Sequence, residues 1–388
     1  MKDLYLPDYK GGSIINLVSS IEGAFGSKNP YPNSSFLNSK EIKRYKNVVL
    51  FVIDGLGYDF LMKNGKGTIF NENLKAKMTS VFPSATTAAI PMFFTGTDCQ
   101  QHGLTGWYSY LEEFAGQIIP LRYVMRANSK VSLDKVRDIK EVFNLKPLAN
   151  RINAKTFVLN PEEYIDSVFS IAAAGKSKRI GYKESNFFKK IRDILKKDGK
   201  KYVYAYWPYH DSLCHKFGST SKKVLRNFRK LDVGFRKFVG SINGTDTLVI
   251  VTADHGILDI PANKRIDLRN YLKIKETLAM PLCGEHTYSY AYIKPGKVRK
   301  FKRYVKREFG EHCDLFKGSE FVKKQVFGLS EPSEKFLRRI GDYIIIMKEG
   351  YAIYDRVGLE RKHPFSIGTH GGFSKEEMFV PLIVLASD

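Results

Sequence analysis

A run of six apolar residues, positions 48–53, is followed directly by an aspartate, Asp54, and a glycine, Gly55. Three of the six are valines, and a continuous apolar run of this length is typical of a strand buried on both faces of a parallel sheet. In open α/β sheets, binding and catalysis collect at the carboxyl ends of such strands. A buried carboxylate is costly unless it holds something positive, so Asp54 is either a helix cap or part of a site.

Two later apolar runs also end near acids and histidines. The side chains concerned are Asp211 and His215 after residues 202–207, Asp254 and His255 after residues 247–253, and His370 in a late Gly-Thr-His-Gly-Gly segment. Asp211 and His215 are four residues apart, so a single helical turn would direct both to one point. Strands that alternate with helical patterns predict an α/β fold, with a doubly wound, mostly parallel sheet flanked by helices.

The sequence changes character after about residue 260, where short strand patterns are mixed with basic helical ones. We interpret this part as an inserted α+β subdomain that selects the substrate. The predicted divisions are an N-terminal extension over residues 1–45, a metal-binding α/β core over 46–260, the insert over 261–362 and a return to the core over 363–388.

The predicted topology brings six polar side chains to one edge of one sheet. They are Asp54, Asp211, His215, Asp254, His255 and His370. Oxygen and nitrogen ligands without thiolates are the set expected of zinc or manganese. Two ions could share these residues, and paired ions about 4 Å apart serve phosphoryl transfer. A hydroxyl-rich segment, residues 84–87, begins a predicted helix whose first N–H groups favour an anion.

The order of these segments resembles that of the alkaline phosphatase superfamily, and most of all its type I phosphodiesterase/nucleotide pyrophosphatase family. The matching segments are Val-Ile-Asp54-Gly, Phe-Pro-Ser-Ala-Thr86-Thr, Asp211-x-x-x-His215, Thr-Ala-Asp254-His255-Gly and Thr-His370-Gly-Gly. The Thr95-Gly96 pair that follows at the family's spacing selects Thr86 over Thr87 as the match to the nucleophile. The similarity extends over about residues 46–385.

This resemblance implies an alkaline phosphatase-like fold and metal-dependent hydrolysis of phosphodiester or pyrophosphate bonds in nucleotide-type substrates. It implies two sets of ligands, Asp54, Asp254, His255 and Thr86 for one divalent ion and Asp211, His215 and His370 for the other. Thr86 would be the nucleophile and would form a phospho-threonine intermediate, which water then hydrolyses. Zinc is the expected metal, and manganese is the alternative.

One position departs from the family's pattern. Where animal members have an asparagine that contacts the phosphoryl oxygen, this sequence has Trp107. Trp107 is therefore a candidate substrate-binding residue, with a place in the core as the alternative. His363, seven residues before His370, is a second candidate, either for a phosphate contact or for a place in the loop.

Other functions are compatible with parts of the sequence. A phosphomonoesterase or phosphotransferase of the same superfamily would use the same metal set, although Thr86 and the insert after His255 favour the diesterase over the serine-dependent mutases. A nucleic-acid-binding protein on a degenerate phosphatase fold would explain the net charge of +23, from 63 lysines and arginines against 40 acids. The densest basic stretches are residues 222–237 and 294–307, and no nucleic-acid-binding motif accompanies them.

Four cysteines lie far apart without a CxxC pair, so neither a disulfide framework nor a thiolate zinc site is expected. The first 20 residues place an acid and a proline where a secretory signal would be apolar, and no apolar run reaches 18 residues. We therefore expect a cytoplasmic protein with reduced cysteines and no membrane span. The oligomeric state is not predicted.

Overall fold

The structure, a computed structural model, describes residues 4–362 and 364–387 and is built around a seven-stranded sheet. In chain order the strands are β1 (Asn47–Ile53), β2 (Leu74–Thr79), β3 (Lys155–Pro161), β4 (Lys178–Tyr182), β5 (Lys201–Trp207), β6 (Thr247–Thr252) and β7 (Phe379–Ser387). Across the sheet their order is β2-β7-β6-β1-β5-β3-β4.

Strand β1 lies in the middle of this sheet and pairs in parallel with both β5 and β6. Strands β3 and β4 continue the parallel arrangement, whereas β7 runs antiparallel to its neighbours β2 and β6. All seven residues of β1 are buried, as expected of a strand that is covered on both faces. The predicted α/β fold with a mostly parallel sheet is therefore confirmed.

Helices cover both faces of the sheet. Those of eight or more residues are Ile14–Ala24, Thr86–Thr95, Phe187–Leu195, Tyr209–Phe217, Lys222–Gly240 and Val298–Phe309. The shorter ones are Ser39–Ile42, Tyr58–Asn64, Ile69–Glu72, Cys99–His102, Ile139–Val142, Val168–Ala174, Leu272–Lys275, Gly318–Lys323, Glu334–Arg339 and Lys375–Met378. On one face, Phe51 of β1 packs against Phe187 and Phe235, and on the other Tyr204 of β5 packs against Phe94.

Two segments differ from the sequence pattern. The pattern over residues 59–77 predicts a broken helix, but its last part forms β2, whose lysines point to solvent while it pairs with β7. The pattern also predicts a helix from Pro161 to Ala174, whereas Pro161 ends strand β3 and the helix begins only at Val168. In both places pairing within the sheet outweighs local helix propensity.

The segment before β1 contributes directly to the main core. Helix Ile14–Ala24 is buried along almost its whole length and contacts helix Thr86–Thr95. Within the described ranges, no helix is long and apolar enough to cross a membrane. The four cysteines are buried and free of disulfides. The division of the chain into four parts remains a prediction.

The part after residue 260 forms a four-stranded antiparallel sheet with two different faces. Its strands, in spatial order, are Cys283–Gly284, Tyr288–Ala291, Tyr343–Met347 and Cys313–Lys317. Ile344 and Ile346 face the main core, whereas Ile345 belongs to a separate cluster with Phe301 of helix Val298–Phe309. The sheet therefore separates this helix from the α/β core.

Three smaller sheets complete the fold. Ser109–Leu111, Gly116–Ile119 and Val124–Met125 form a three-stranded sheet, Leu258–Asp259 pairs with Gly368–Thr369, and Arg265–Asp267 pairs with Ala352–Tyr354. The pair between Leu258–Asp259 and Gly368–Thr369 brings the chain back to the core immediately before His370.

The turn after β6 passes very close to two other backbone segments. An alanine Cβ at Gly256 would lie 1.9 Å from the carbonyl oxygen of Glu376 and 2.9 Å from the Cα of Gly57. The amide of Gly256 also donates a hydrogen bond of 2.7 Å to the carbonyl of Glu377. Glycine at this position therefore allows the turns after β1 and β6 to meet.

We expect Gly256→Ala to lower the free energy of unfolding in urea by about 1–3 kcal/mol, because the added methyl group has no space. Gly240→Ala is the matched control, since a Cβ there meets nothing within 4 Å at the end of helix Lys222–Gly240. The control should be neutral or slightly stabilising. Equal stability of the two variants would contradict this account of the turn.

Candidate active site

The carboxyl ends of β1, β5 and β6 lie side by side, because these three parallel strands are neighbours in the sheet. Asp54 follows β1, Asp254 and His255 follow β6, and Asp211 lies on the helix Tyr209–Phe217 that follows β5. His215 is one turn further along that helix, and His370 follows Gly368–Thr369. The structure thus brings all six predicted ligands to one edge of the sheet, as the topology predicts.

Asp54, Asp254 and His255 form the first group, with one ligand atom from each within 4.8 Å of the others. Oδ1 of Asp254 accepts hydrogen bonds from the amides of Gly55 and His255, at 3.1 and 3.0 Å. Oδ2 of Asp54 accepts the hydroxyl of Tyr206. The other oxygen of each carboxylate lies 3.4 Å from Nε2 of His255. Each aspartate is therefore anchored through one oxygen and presents the other.

Thr86 is placed against this group at the start of helix Thr86–Thr95. Its Oγ1 lies 3.0 Å from Nε2 of His255. Because Nδ1 of His255 is 2.9 Å from the carbonyl of Gly256, Nδ1 carries the proton and Nε2 has a lone pair. The Thr86 hydroxyl donates to that nitrogen. His255 thus presents an oriented imidazole nitrogen to the same point as the two aspartates.

Asp211, His255 and His370 form the second group, again with ligand atoms within 4.8 Å of one another. His215 adjoins this group, with its Nε2 3.2 Å from Oδ2 of Asp211 and its ring centroid 5.1 Å from that of His370. Its Nδ1 is 2.7 Å from the carbonyl of Gly368. The rings of His255 and His370 stack at 3.7 Å, so the two groups form one continuous cluster that shares His255.

Burial and mutual repulsion perturb the acids of this cluster. Burial, reinforced by the charges of Asp254 and Asp211, raises the pKa of Asp54 well above its usual value. Burial likewise raises the pKa of Asp254, partly offset by His255. For Asp211, burial would raise the pKa, but the charge of His215 and the hydrogen bond with it outweigh burial and lower the pKa. Asp54 and Asp254 therefore favour their uncharged forms, whereas Asp211 favours its charged form.

The histidines of the second group respond in opposite ways. Burial works to lower the pKa of His215, but the charge of Asp211 and hydrogen bonds to Asp211 and Gly368 outweigh it and raise the pKa to about 9. For His370, burial and the neighbouring His255 lower the pKa well below its usual value. A neutral His370 is available as a ligand through its lone pair.

The donor set fits two divalent metal ions. Among the described residues, Oδ1 of Asp54, Oδ1 of Asp211 and Oδ2 of Asp254 are buried without a hydrogen-bond partner. Buried carboxylate oxygens of this kind are costly unless they meet a cation. His255 and His215 each direct Nδ1 to a backbone carbonyl, which is the arrangement typical of histidines that bind a metal through Nε2.

A cavity of about 870 Å³ opens onto this cluster. Its walls include Thr86 and Trp107, together with residues that the sequence did not identify: Leu121, Arg122, Glu163, Tyr164, Tyr206, Glu285 and His286. Trp107, a predicted substrate-binding residue, therefore lies on the cavity wall. His363, the other predicted one, lies outside the described residues.

Glu285 is the most notable addition to the site. Its Oε1 accepts a hydrogen bond of 2.8 Å from the backbone amide of Trp107. Burial raises the pKa of Glu285 to about 8, although the hydrogen bond from Trp107 and the charge of His215 act in the other direction. No local motif marks Glu285, because it comes from the edge of the insert's sheet and reaches the site only through tertiary packing.

We expect Asp54→Asn to stabilise the metal-free protein and to weaken its response to zinc. The amide removes a buried, repelled carboxylate, and each unit of pKa shift corresponds to about 1.4 kcal/mol. Thermal unfolding with a chelator should occur at a higher temperature than in the wild type, and the rise produced by excess zinc should be smaller. Asp59→Asn, on the following helix, is the control and should leave the zinc response unchanged. A full zinc response in Asp54→Asn would contradict the ligand assignment.

The pKa of Glu285 predicts a pH effect on the chelated protein. The folded state retains this proton up to about pH 8, whereas the unfolded chain releases it near its ordinary value of 4.5, so Glu285 makes stability fall as pH rises between these values. Glu285→Gln should flatten that part of the profile of unfolding free energy against pH. Exposed Glu276→Gln should follow the wild-type profile. Identical slopes for all three proteins would show that Glu285 ionises normally.

Comparison with known proteins supports the assignment of a family. The family model for type I phosphodiesterases/nucleotide pyrophosphatases matches residues 48–118 and 119–373. A search among curated protein sequences finds no match. The family match covers every predicted ligand and Thr86, as well as Trp107 and Glu285.

Three of the solved structures with the same fold are of mammalian proteins. Murine ectonucleotide pyrophosphatase/phosphodiesterase 5 has a TM-score of 0.62 and 18% identity over 86% of this chain and 87% of that one. An inactive form of it in complex with AMP has a TM-score of 0.61 and 17% identity over the same shares. For the human counterpart the values are 0.62 and 17%, over 87% of each chain. The fold matches, and the chain belongs to the type I phosphodiesterase/nucleotide pyrophosphatase family.

Proposed function

We propose that this protein hydrolyses phosphodiester or pyrophosphate bonds in nucleotide-type substrates, with Thr86 as the nucleophile and two divalent metal ions, zinc or manganese, as cofactors. The observation that carries the proposal is the position of the Thr86 hydroxyl. It lies 3.0 Å from Nε2 of His255, at a helix N-terminus and beside the unpartnered oxygens of Asp54 and Asp254. An imidazole nitrogen, a helix N-terminus and unpartnered carboxylate oxygens around one hydroxyl together favour a catalytic role for Thr86.

Asp54, Asp254, His255 and Thr86 would hold one ion, and Asp211, His215 and His370 the other. When bound, the ions supply positive charge that lowers the pKa of the Thr86 hydroxyl and of an attacking water and that neutralises charge on the phosphoryl oxygens. Tyr206 and the amides of Gly55 and His255 keep the two aspartates in a fixed orientation. These hydrogen bonds orient the two carboxylates for the ion that they would hold.

The reaction would proceed in two displacements at phosphorus. Oγ1 of Thr86 attacks phosphorus and the bond from phosphorus to the leaving oxygen breaks. The proton of the Thr86 hydroxyl ends on that leaving oxygen, and the phosphoryl group, with its remaining ester, stays on Thr86. The first amides of helix Thr86–Thr95 point their N–H groups toward the charge that builds on the phosphoryl oxygens. A water then attacks the phospho-threonine, and Thr86 recovers its proton as the monoester leaves.

The cavity favours a substrate of nucleotide size. Aromatic side chains on its walls, among them Trp107, Tyr164 and Phe169, provide flat apolar surfaces that suit a base. The structurally similar murine protein was solved with AMP, which agrees with this substrate class. We infer that the insert, residues 261–362, contributes to selection through Glu285 and His286 on the cavity wall. His363 remains a candidate for a phosphate contact.

We infer that Glu285 and Trp107 together take the place of the family's phosphate-binding asparagine. The main-chain amide of Trp107 is engaged by Glu285, so the position offers a carboxyl group rather than a free amide. We infer that Glu285 faces the substrate directly.

We also propose that the protein is cytoplasmic. Its four cysteines are free of disulfides, which agrees with a reducing compartment.

We expect Thr86→Ala to reduce the hydrolysis of bis-p-nitrophenyl phosphate by the zinc-loaded protein by about 10³-fold or more, because no other hydroxyl takes its place. Thr86→Ser should retain measurable activity. Thr97→Ala is the control, since Thr97 lies just past the end of the same helix and is not among the residues that line the cavity.

The assay also distinguishes the reactions. Cleavage of the diester should exceed cleavage of p-nitrophenyl phosphate, and a rapid acid quench should trap one phosphoryl group on the peptide that contains Thr86. Equal monoesterase activity would instead identify a phosphomonoesterase. Full diesterase activity of Thr86→Ala would refute the proposed nucleophile.

A further inference from the structure

Helix Val298–Phe309 carries a regular stripe of positive charge on the outside of the insert. Its apolar side chains Phe301, Val305 and Phe309 are buried against the insert's sheet. On the opposite side, four exposed cations recur at positions i, i+3, i+4 and i+7, and together they form what we name the basic stripe: Arg299, Lys302, Arg303 and Lys306. The stripe extends about 10 Å along the helix axis.

The basic stripe has no internal charge compensation. In the described parts of the chain, none of its four members forms an ion pair, and the one ion pair on this helix joins Arg307 to the adjacent Glu308. The other basic helix, Lys222–Gly240, differs: Lys230 and Arg236 pair with Glu184 and Glu72 at 2.8 and 3.0 Å. The overall excess of lysine and arginine thus does not explain the stripe by itself.

The charge arrangement also opposes the stability of the helix that bears it. Like charges three and four residues apart repel one another. The first turn contains no acid, and Arg299 lies near the positive end of the helix dipole. An external polyanion would relieve both effects. The helix is held in place instead by Phe301 and Val305, which bury its apolar face.

We propose that the basic stripe binds the phosphodiester backbone of a polynucleotide. Four unpaired cations in a row match a linear series of phosphates, and the half-buried Tyr304 lies beside them with Arg303 and Arg307 at 5.4 and 5.2 Å from its ring. A membrane-binding helix would need a free apolar face, but the apolar face of this helix is buried. Among the described residues of the helix itself, Val298, 39% exposed, is the one exposed large apolar side chain.

The stripe lies away from the catalytic cavity. None of its four residues lines that cavity, and the insert's sheet separates the helix from the core that bears Thr86. Binding at the stripe therefore docks a polymer without using the catalytic groups. The proposal does not depend on the reaction proposed above.

The test uses the zinc-loaded full chain and a fluorescein-labelled single-stranded oligodeoxynucleotide with phosphorothioate linkages, which resist cleavage. We expect the quadruple variant Arg299→Gln, Lys302→Gln, Arg303→Gln, Lys306→Gln to weaken binding by about tenfold or more in fluorescence anisotropy at moderate salt. The slope of log K against log salt concentration should become shallower by about 3, as four phosphate contacts are lost.

The matched control removes the same charge from the other basic helix, through Lys222→Gln, Lys223→Gln, Arg226→Gln and Lys237→Gln. It should bind nearly as the wild type does. An equal loss of oligonucleotide affinity in both variants would overturn the proposal, because binding would then depend on the overall positive charge of the protein. Undetectable binding by the wild type would also overturn it. Loss of binding to phosphatidylserine vesicles with unchanged oligonucleotide binding would identify a membrane surface instead.

Hydrolysis of bis-p-nitrophenyl phosphate separates this proposal from the catalytic one. This small substrate cannot reach the stripe and the cavity at once, so the quadruple stripe variant should hydrolyse it at the wild-type rate. An inactive wild type that still binds the oligonucleotide through the stripe would refute the proposed reaction alone. Far-ultraviolet circular dichroism should show that helix Val298–Phe309 and the rest of the fold persist in the variant.

Discussion

Three carboxylates are buried at the ends of neighbouring parallel strands, and this concentration of negative charge is the constraint on which the rest of the site depends. Asp54, Asp211 and Asp254 are each less than a tenth exposed. Burial and repulsion raise the pKa of Asp54 and Asp254, whereas the histidines around Asp211 lower its pKa. A fold that keeps these acids together must supply positive charge at the same place, and the unpartnered oxygens show where that charge belongs.

The surrounding structure serves to hold these groups in orientation. Gly256 lets the turn after β6 meet the turn after β1, and Gly55, at φ +72°, lets the chain turn sharply past Asp211. Tyr206 holds one oxygen of Asp54, and backbone carbonyls fix the protonated nitrogen of His255 and of His215. Pre-orientation of this kind reduces the reorganisation that a bound ion or substrate would otherwise require.

The insert links the site to a different surface through the two faces of one sheet. The face with Ile344 and Ile346 packs on the main core, at whose edge Glu285 and Trp107 meet beside the cavity. The other face supports helix Val298–Phe309 and its outward charge. The insert's sheet thus lies between the core that bears the cavity and a strongly basic exterior. This separation allows the two surfaces to change independently in sequence.

The sequence by itself determined the α/β fold, the carboxyl ends of β1, β5 and β6 and the six candidate ligands, and the resemblance to the family selected Thr86. The strand ends and ligands depend on local patterns, namely apolar runs that stop at or near acids and histidines. Only the tertiary structure showed that His255 lies in both ligand groups, that Pro161 ends a strand, and that Glu285 enters the site. These features depend on strand pairing and on packing of the insert, which bring together residues far apart in the chain. Patterns within a short stretch of sequence therefore cannot predict them.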